Sequence, residues 1–171
     1  MTIKLKMAVL GMAGSLAMLA TPIVASAHPM QSWQPNIVEK AVSINQQTGE
    51  FSTLIAAASC TDVAERLSSE DRNFTVFAPT DAAFAKLGLR ADNVCSAFDT
   101  DTLQNILEYH VTRGAKTAEQ VLARHKLRML SGDTAWIDGA TIAGQNIVMT
   151  DVWASNGVIH VVDGVMMPPT E

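Results

Sequence analysis

The chain has 171 residues and carries 17 Asp+Glu against 12 Lys+Arg, a formal net charge of −5. That length suffices for one domain with a core of its own. The acidic balance argues against nucleic acid and anionic membrane surfaces as main partners, because both are gripped through a basic footprint.

Residues 1–27 read as a secretory signal peptide. Lys4 and Lys6 form a positive start, Met7 to Ala20 a short apolar core, and Ala25-Ser26-Ala27 a small-x-small cleavage site. The apolar core is too short for a stable membrane span. No Cys follows it closely and no hydrophobic tail closes the chain, so no lipid anchor is expected. Cleavage removes two lysines and no carboxylate, leaving a charge of −7. The mature protein is expected to be a monomer, periplasmic or extracellular, without membrane insertion. It would begin at His28, and an N-terminal histidine can bind copper through its amine and ring. Pro29 removes the next amide and no other His has a spacing that visibly joins it, so no metal site is expected there.

Residues 28–35 form a polar, Pro-bounded lead-in. "NIVEKAVS" puts Ile37, Val38, Ala41 and Val42 on one helical face, with Asn36 as N-cap. "GEFSTLIAAAS" continues with Phe51, Leu54, Ile55 and Ala58 at helical spacing, and "CTDVAERLSS" predicts a short helix capped by Thr61. "NFTVFAP" alternates as a strand that Pro79 ends. Thr80 then caps "DAAFAKL", with Asp81 in the first turn, where the helix dipole favours a negative charge. After a short turn or helix at "ADNVCSAF", "DTDTLQNILEYHV" predicts an amphipathic helix with Leu103, Ile106, Leu107 and His110 on one face. Thr117 caps one more short helix.

The last forty or so residues turn to strands. "LRML" alternates, and Asp138-Gly139 and Asn156-Gly157 each stand between apolar runs as two-residue hairpin turns. Helices first and strands last give an α+β class with one domain at 36–169. Cys60 and Cys95 are the only cysteines, and an oxidising compartment favours one disulfide. Its loop of about 35 residues would be worth roughly 4 kcal/mol. Two separate buried thiols are the alternative.

Three segments in this order resemble the fasciclin domain: "FTVFAPTDAAFAKL", "LEYHV" and "NGVIHVVDGVMMP". They include Thr80, Asp81, Asn156, Gly157 and His160. "NIVEKAVS" and "FSTLIAAA" are similar to the way such domains begin. The resemblance implies a wedge of mixed β-strands with helices packed around one side. It also implies secreted or surface-bound proteins used for adhesion rather than catalysis, small single-domain bacterial members above all. The cysteine pair is a departure from the family pattern. Tyr109 and His110 match a tyrosine–histidine pair implicated in adhesion. Asp151 and Val152 match an Asp–Ile pair linked to integrin binding, although Thr150 and Trp153 differ from that motif's flanks.

Each of these residues also has a plainer reading. His110 on an apolar stripe is a core residue satisfied by a hydrogen bond. Tyr109 points away from that stripe, toward a surface. His160 alternates with Val158 and Val162 in a strand apolar on both faces, and so belongs to the core. Asp151 reads as an edge-strand carboxylate in solvent. The chain has no G-x-S-x-G, H-E-x-x-H, C-x-x-C or Gly-rich phosphate loop, so no enzyme activity and no cofactor are expected. Asp99 and Asp101 read as helix-start residues. The expected function is an exported module binding a cell-surface, matrix or envelope protein or glycan. The alternative is a carrier of a small apolar ligand such as a carotenoid or lipid, with Trp136 and Trp153 near the hairpins. On the simpler reading those tryptophans pack on the sheet.

Overall fold

A computed structural model describes residues 34–169. The expected signal peptide and most of the lead-in, His28 included, lie outside the described residues. Three helices open the fold: α1 (Ile37–Thr48), α2 (Ser52–Ser59) and α3 (Val63–Ser68). Asn36 and Glu39 close a reciprocal capping box on α1, and Gly49 ends it in the left-handed conformation at φ 72°. α2 has no cap of its own. Asp81 supplies one from 28–29 residues away, accepting the Ser52 and Thr53 amides at 3.2 and 2.7 Å. The expectation for Thr61 is corrected: its hydroxyl turns back onto the Ala57 and Ala58 carbonyls, and α3 starts without a side-chain cap.

The chain then runs through β1 (Phe74–Pro79), α4 (Asp81–Ala85), α5 (Val94–Ala97), α6 (Thr100–Tyr109), β2 (Val111–Arg113) and α7 (Ala118–Leu122). Thr80, Asp99 and Thr117 cap α4, α6 and α7 through their side chains. Five strands finish the fold: β3 (Lys126–Arg128), β4 (Thr134–Asp138), β5 (Thr141–Ile142), β6 (Gln145–Ala154) and β7 (Gly157–Val162). The sheet has seven strands in the order β2-β1-β7-β6-β5-β4-β3. Among the described residues only β1 and β7 run parallel, in register from Phe74↔Gly157 to Pro79↔Val162. A bridge between Thr112 and Met129 brings the two ends of that order together, so the sheet curls toward closure.

Both central strands are buried along their whole length. Phe74, Val76, Ala78, Ile159 and Val161 pack against α1, α2, α3 and α6 on one face. Phe77 and Val162 face Tyr109, Val121, Leu127, Met129, Ile137, Ile142 and Met166 inside the curl. Burying one such large apolar side chain stabilises the fold by about 1.5–3 kcal/mol. The class is therefore α+β, a mixed sheet with α1, α2, α3 and α6 on one face and Val121 of α7 packed inside the curl.

Both hairpin turns sit one residue off the expected positions. Asp138 pairs with Thr141, so Gly139 (φ 56°) and Ala140 make the first turn. Ala154 pairs with Gly157, so Ser155 and Asn156 make the second. Asn156 is buried and does more than turn the chain. Its Oδ1 accepts the Ile37 amide at the start of α1, and its Nδ2 donates to the Leu67 and Ser69 carbonyls. Gly157 is required by close packing: a Cβ there would stand 2.0 Å from the Phe74 carbonyl oxygen.

Candidate functional site

Tyr109 ends α6 and is buried, only 3% exposed, with its hydroxyl donating to the Thr134 carbonyl. The expectation that it reaches a surface is corrected. α6 lies between two cores, so the side opposite its main stripe is covered by Val121, Leu127 and Met129. His110 follows as the C-cap, also buried. Its Nε2 accepts the Met166 amide at 2.9 Å, which places the ring proton on Nδ1, 2.7 Å from the Ile106 carbonyl. Burial pushes its pKa down to about 4. The ring is thus neutral, and it ties the end of α6 to the chain after β7. Neither member of the Tyr109–His110 pair offers a contact surface in this fold.

His160 is fully buried in β7, its ring centroid 5.6 Å from that of Phe77. Nδ1 accepts the Asp151 amide at 3.1 Å, so Nε2 carries the proton and donates to the Lys116 carbonyl at 3.0 Å. Burial lowers this imidazole's pKa as well. The partner strand β6 is irregular at two places, between Ile147 and Met149 and between Met149 and Val152. Asp151 sits in the second irregularity at φ 58°, a conformation that Asp tolerates better than most residues. Its carboxylate accepts the Ala118 amide at 2.9 Å, in the first turn of α7. The reading of Asp151 as a free edge-strand carboxylate is corrected: the group is engaged. Val152 is half-buried against the core and pairs with Ile159. Asp151 and Val152 are therefore neighbours at one surface, while Tyr109 and His110 lie inside.

The irregular register has a chemical result. Val148, Met149 and Trp153 of β6 are each more than half exposed. Trp136 on β4 is 65% exposed, with the Lys126 ammonium 5.8 Å from its ring. Neither Trp136 nor Trp153 packs into the sheet, contrary to the simpler expectation. Consecutive exposed residues at 148 and 149 followed by half-buried ones at 151 and 152 break strict alternation, so the pattern in the sequence hid this row.

Sequence reasoning also missed a groove between the first three helices, lined by Ile37, Val38, Leu54, Ile55, Leu67 and Leu107. It encloses about 80 Å³. Its only trace in the sequence is apolar residues at helical spacing, which a filled core produces equally well. Cys60 after α2 and Cys95 in α5 form a disulfide with Cα atoms 6.0 Å apart. Among the described residues no helix is long and apolar enough to cross a membrane.

Residues 49–168 match the family model described as Fasciclin domain. Protein sll1483 of Synechocystis sp. is 37% identical over 164 residues, an alignment covering 88% of this chain and 90% of that protein. Human periostin is 32% identical over 130 residues, covering 70% of this chain and 15% of periostin. The solved FAS1 domain pair from the insect cell adhesion molecule Fasciclin I covers 80% of this chain and 51% of that chain at a TM-score of 0.56. At 19% identity that last likeness is one of fold alone.

Proposed function

The chain belongs to the fasciclin domain family, and from that premise we propose that it is an exported, non-catalytic adhesion or interaction module. Its partner is a protein or glycan of a cell surface, matrix or envelope. The observation that carries this reading is the exposed row on β6, where Val148, Met149 and Trp153 stand in solvent around Asp151. Large apolar side chains left exposed along one strand support an interaction site, and Trp is among the residues that most often anchor such sites. His160 and α7 fix the strand that presents the row, so little ordering is left to do on binding. On this reading residues 1–27 direct export, and the working domain is 36–169.

The test is capture of partners from native envelope or matrix fractions by the mature protein. Saturable capture that falls at least about tenfold in a Met149→Ser, Trp153→Ala double variant is expected, as for loss of a central anchor. Absence of any saturable partner overturns the proposal.

The groove between α1, α2 and α3 supports a second reading, a carrier of a small apolar ligand. Its volume of about 80 Å³ is well below the roughly 300–1,000 Å³ of ordinary ligand sites, so the groove would have to widen to hold one. A visible absorption band, or a bound lipid in native mass spectra of protein from its own host, would favour the carrier over the adhesion module.

A further inference from the structure

The described residues hold ten of the 12 Lys+Arg, since Lys4 and Lys6 lie outside them. Seven of those ten gather on one face. Arg113, Lys116, Arg124, Lys126 and Arg128 line a groove of about 490 Å³, and among the described residues no carboxylate lines it. An adjoining depression shares Arg113 and Leu130 with it and adds Arg66 and Arg72, with Asp71. Among the described residues only Arg66 of these cations has an ion pair, to Glu108.

The fold builds this groove from separate stretches of chain. Lys126 and Arg128 point outward on β3 because Leu127 between them points in. The Thr112–Met129 bridge then sets β2, with Arg113 at its end, beside β3. The groove therefore lies on the seam where the sheet closes. Lys116 folds back onto the Arg113 carbonyl. Burial and then the Arg124 charge hold its ammonium below the usual lysine range. Like charges packed this way repel, and nothing inside the groove neutralises them. An anion from outside would relieve that repulsion.

Trp136 narrows the class of anion. It is directly opposite Lys126 across the β3–β4 pair, so its exposed indole stands at the groove's edge beside a cation. A flat apolar face next to guanidinium and ammonium donors suits a ring that is apolar on one side and carries an acidic group.

We propose that this groove binds a linear acidic polysaccharide, its carboxylate or sulfate groups on Arg113, Lys116, Arg124, Lys126 and Arg128 and one sugar ring on Trp136. The proposal rests on reading the domain as an extracellular interaction module, and it names the ligand class. A nucleic acid fits less well. Single strands are tracked by successive aromatic platforms, and this groove has one. Duplex DNA carries a charge about every 1.7 Å and would lie against a surface that is acidic beyond the groove.

The test uses the mature full-length protein and calorimetric titration with alginate oligosaccharides (carboxylated), heparin oligosaccharides (sulfated) and neutral dextran. Saturable binding to one or both acidic probes is expected, with none to dextran. The two acidic arms tell which group is read. Raising salt from about 50 to 200 mM should weaken binding at least about tenfold. An Arg113→Glu, Arg128→Glu pair should lose at least about tenfold in affinity and Trp136→Ala several-fold, both with unchanged melting temperature. The control pair Lys40→Glu, Arg90→Glu changes charge equally outside the groove and should bind as wild type. Equal binding to dextran, or equal loss in the control pair, would overturn the proposal. So would tighter binding to a thymidine oligonucleotide or to phosphatidylglycerol vesicles. If the acidic glycans fail while Trp153-dependent capture from envelope fractions persists, the groove assignment falls and the interaction module stands.

Discussion

The His160 imidazole takes the place of a peptide unit, accepting one backbone amide and donating to one backbone carbonyl. Truncating it leaves the Asp151 amide and the Lys116 carbonyl unpaired and opens a cavity beside Phe77. His160→Ala should cost about 2–4 kcal/mol, read as a lower urea midpoint with an unchanged slope. A variant as stable as wild type would remove His160 from its structural role. His110 makes a second prediction. Its folded pKa of about 4 lies below the ordinary 6.5, so between those values the unfolded chain takes up a proton that the fold refuses. Stability should therefore fall as pH drops from 6.5 toward 4, by about 3 kcal/mol in all from this group, and be fully present above 6.5. His160 shifts in the same direction and adds to the loss. Equal urea midpoints at pH 7.5 and 4.5 would contradict a neutral buried imidazole. Alternation of apolar residues was enough to place His160 inside. It could not show what Asp81, Asp151 and Asn156 do, because each caps a helix whose first turn lies 28–119 residues away in sequence.

At the scale of elements, local chemistry was legible and pairing was not. Asn36, Thr80, Asp99 and Thr117 cap their helices through contacts only three residues long, which a sequence displays directly. The hairpin turns were displaced by one residue, and the irregularities of β6 were invisible. Both depend on how a strand meets its partner rather than on its own residues. The Cys60–Cys95 link joins the residue after α2 to α5, a short helix whose one buried residue is Val94. Converting both cysteines to serine should lower stability by about 3–4 kcal/mol and the melting temperature by several degrees. An unchanged calorimetric melt would show that packing alone positions α5.

For the whole molecule, net charge concealed the distribution of charge. A total of −5 describes a surface with no basic footprint, yet the fold draws cations from 66–72, 113–116 and 124–128 onto one face. The stretch 113–128 already holds five of these cations against one carboxylate, Glu119, but only the meeting of β2 and β3 sets them on one seam beside Arg66 and Arg72. The proposed export makes its own prediction: protein recovered outside the cytoplasm should begin at His28 by intact-mass measurement. A mass retaining residues 1–27 would contradict the cleavage.

The parallel register of β1 with β7 sets an order of events during synthesis. β1 can pair with β2 early, but Phe74 waits for Gly157 on its other side, and the first amide of α1 waits for Asn156, so both attachments form only once β7 has been made. Such a high contact order slows folding. The fold is locked by β7, the strand that gives β1 its second neighbour and ends the hairpin whose Asn156 holds the start of α1.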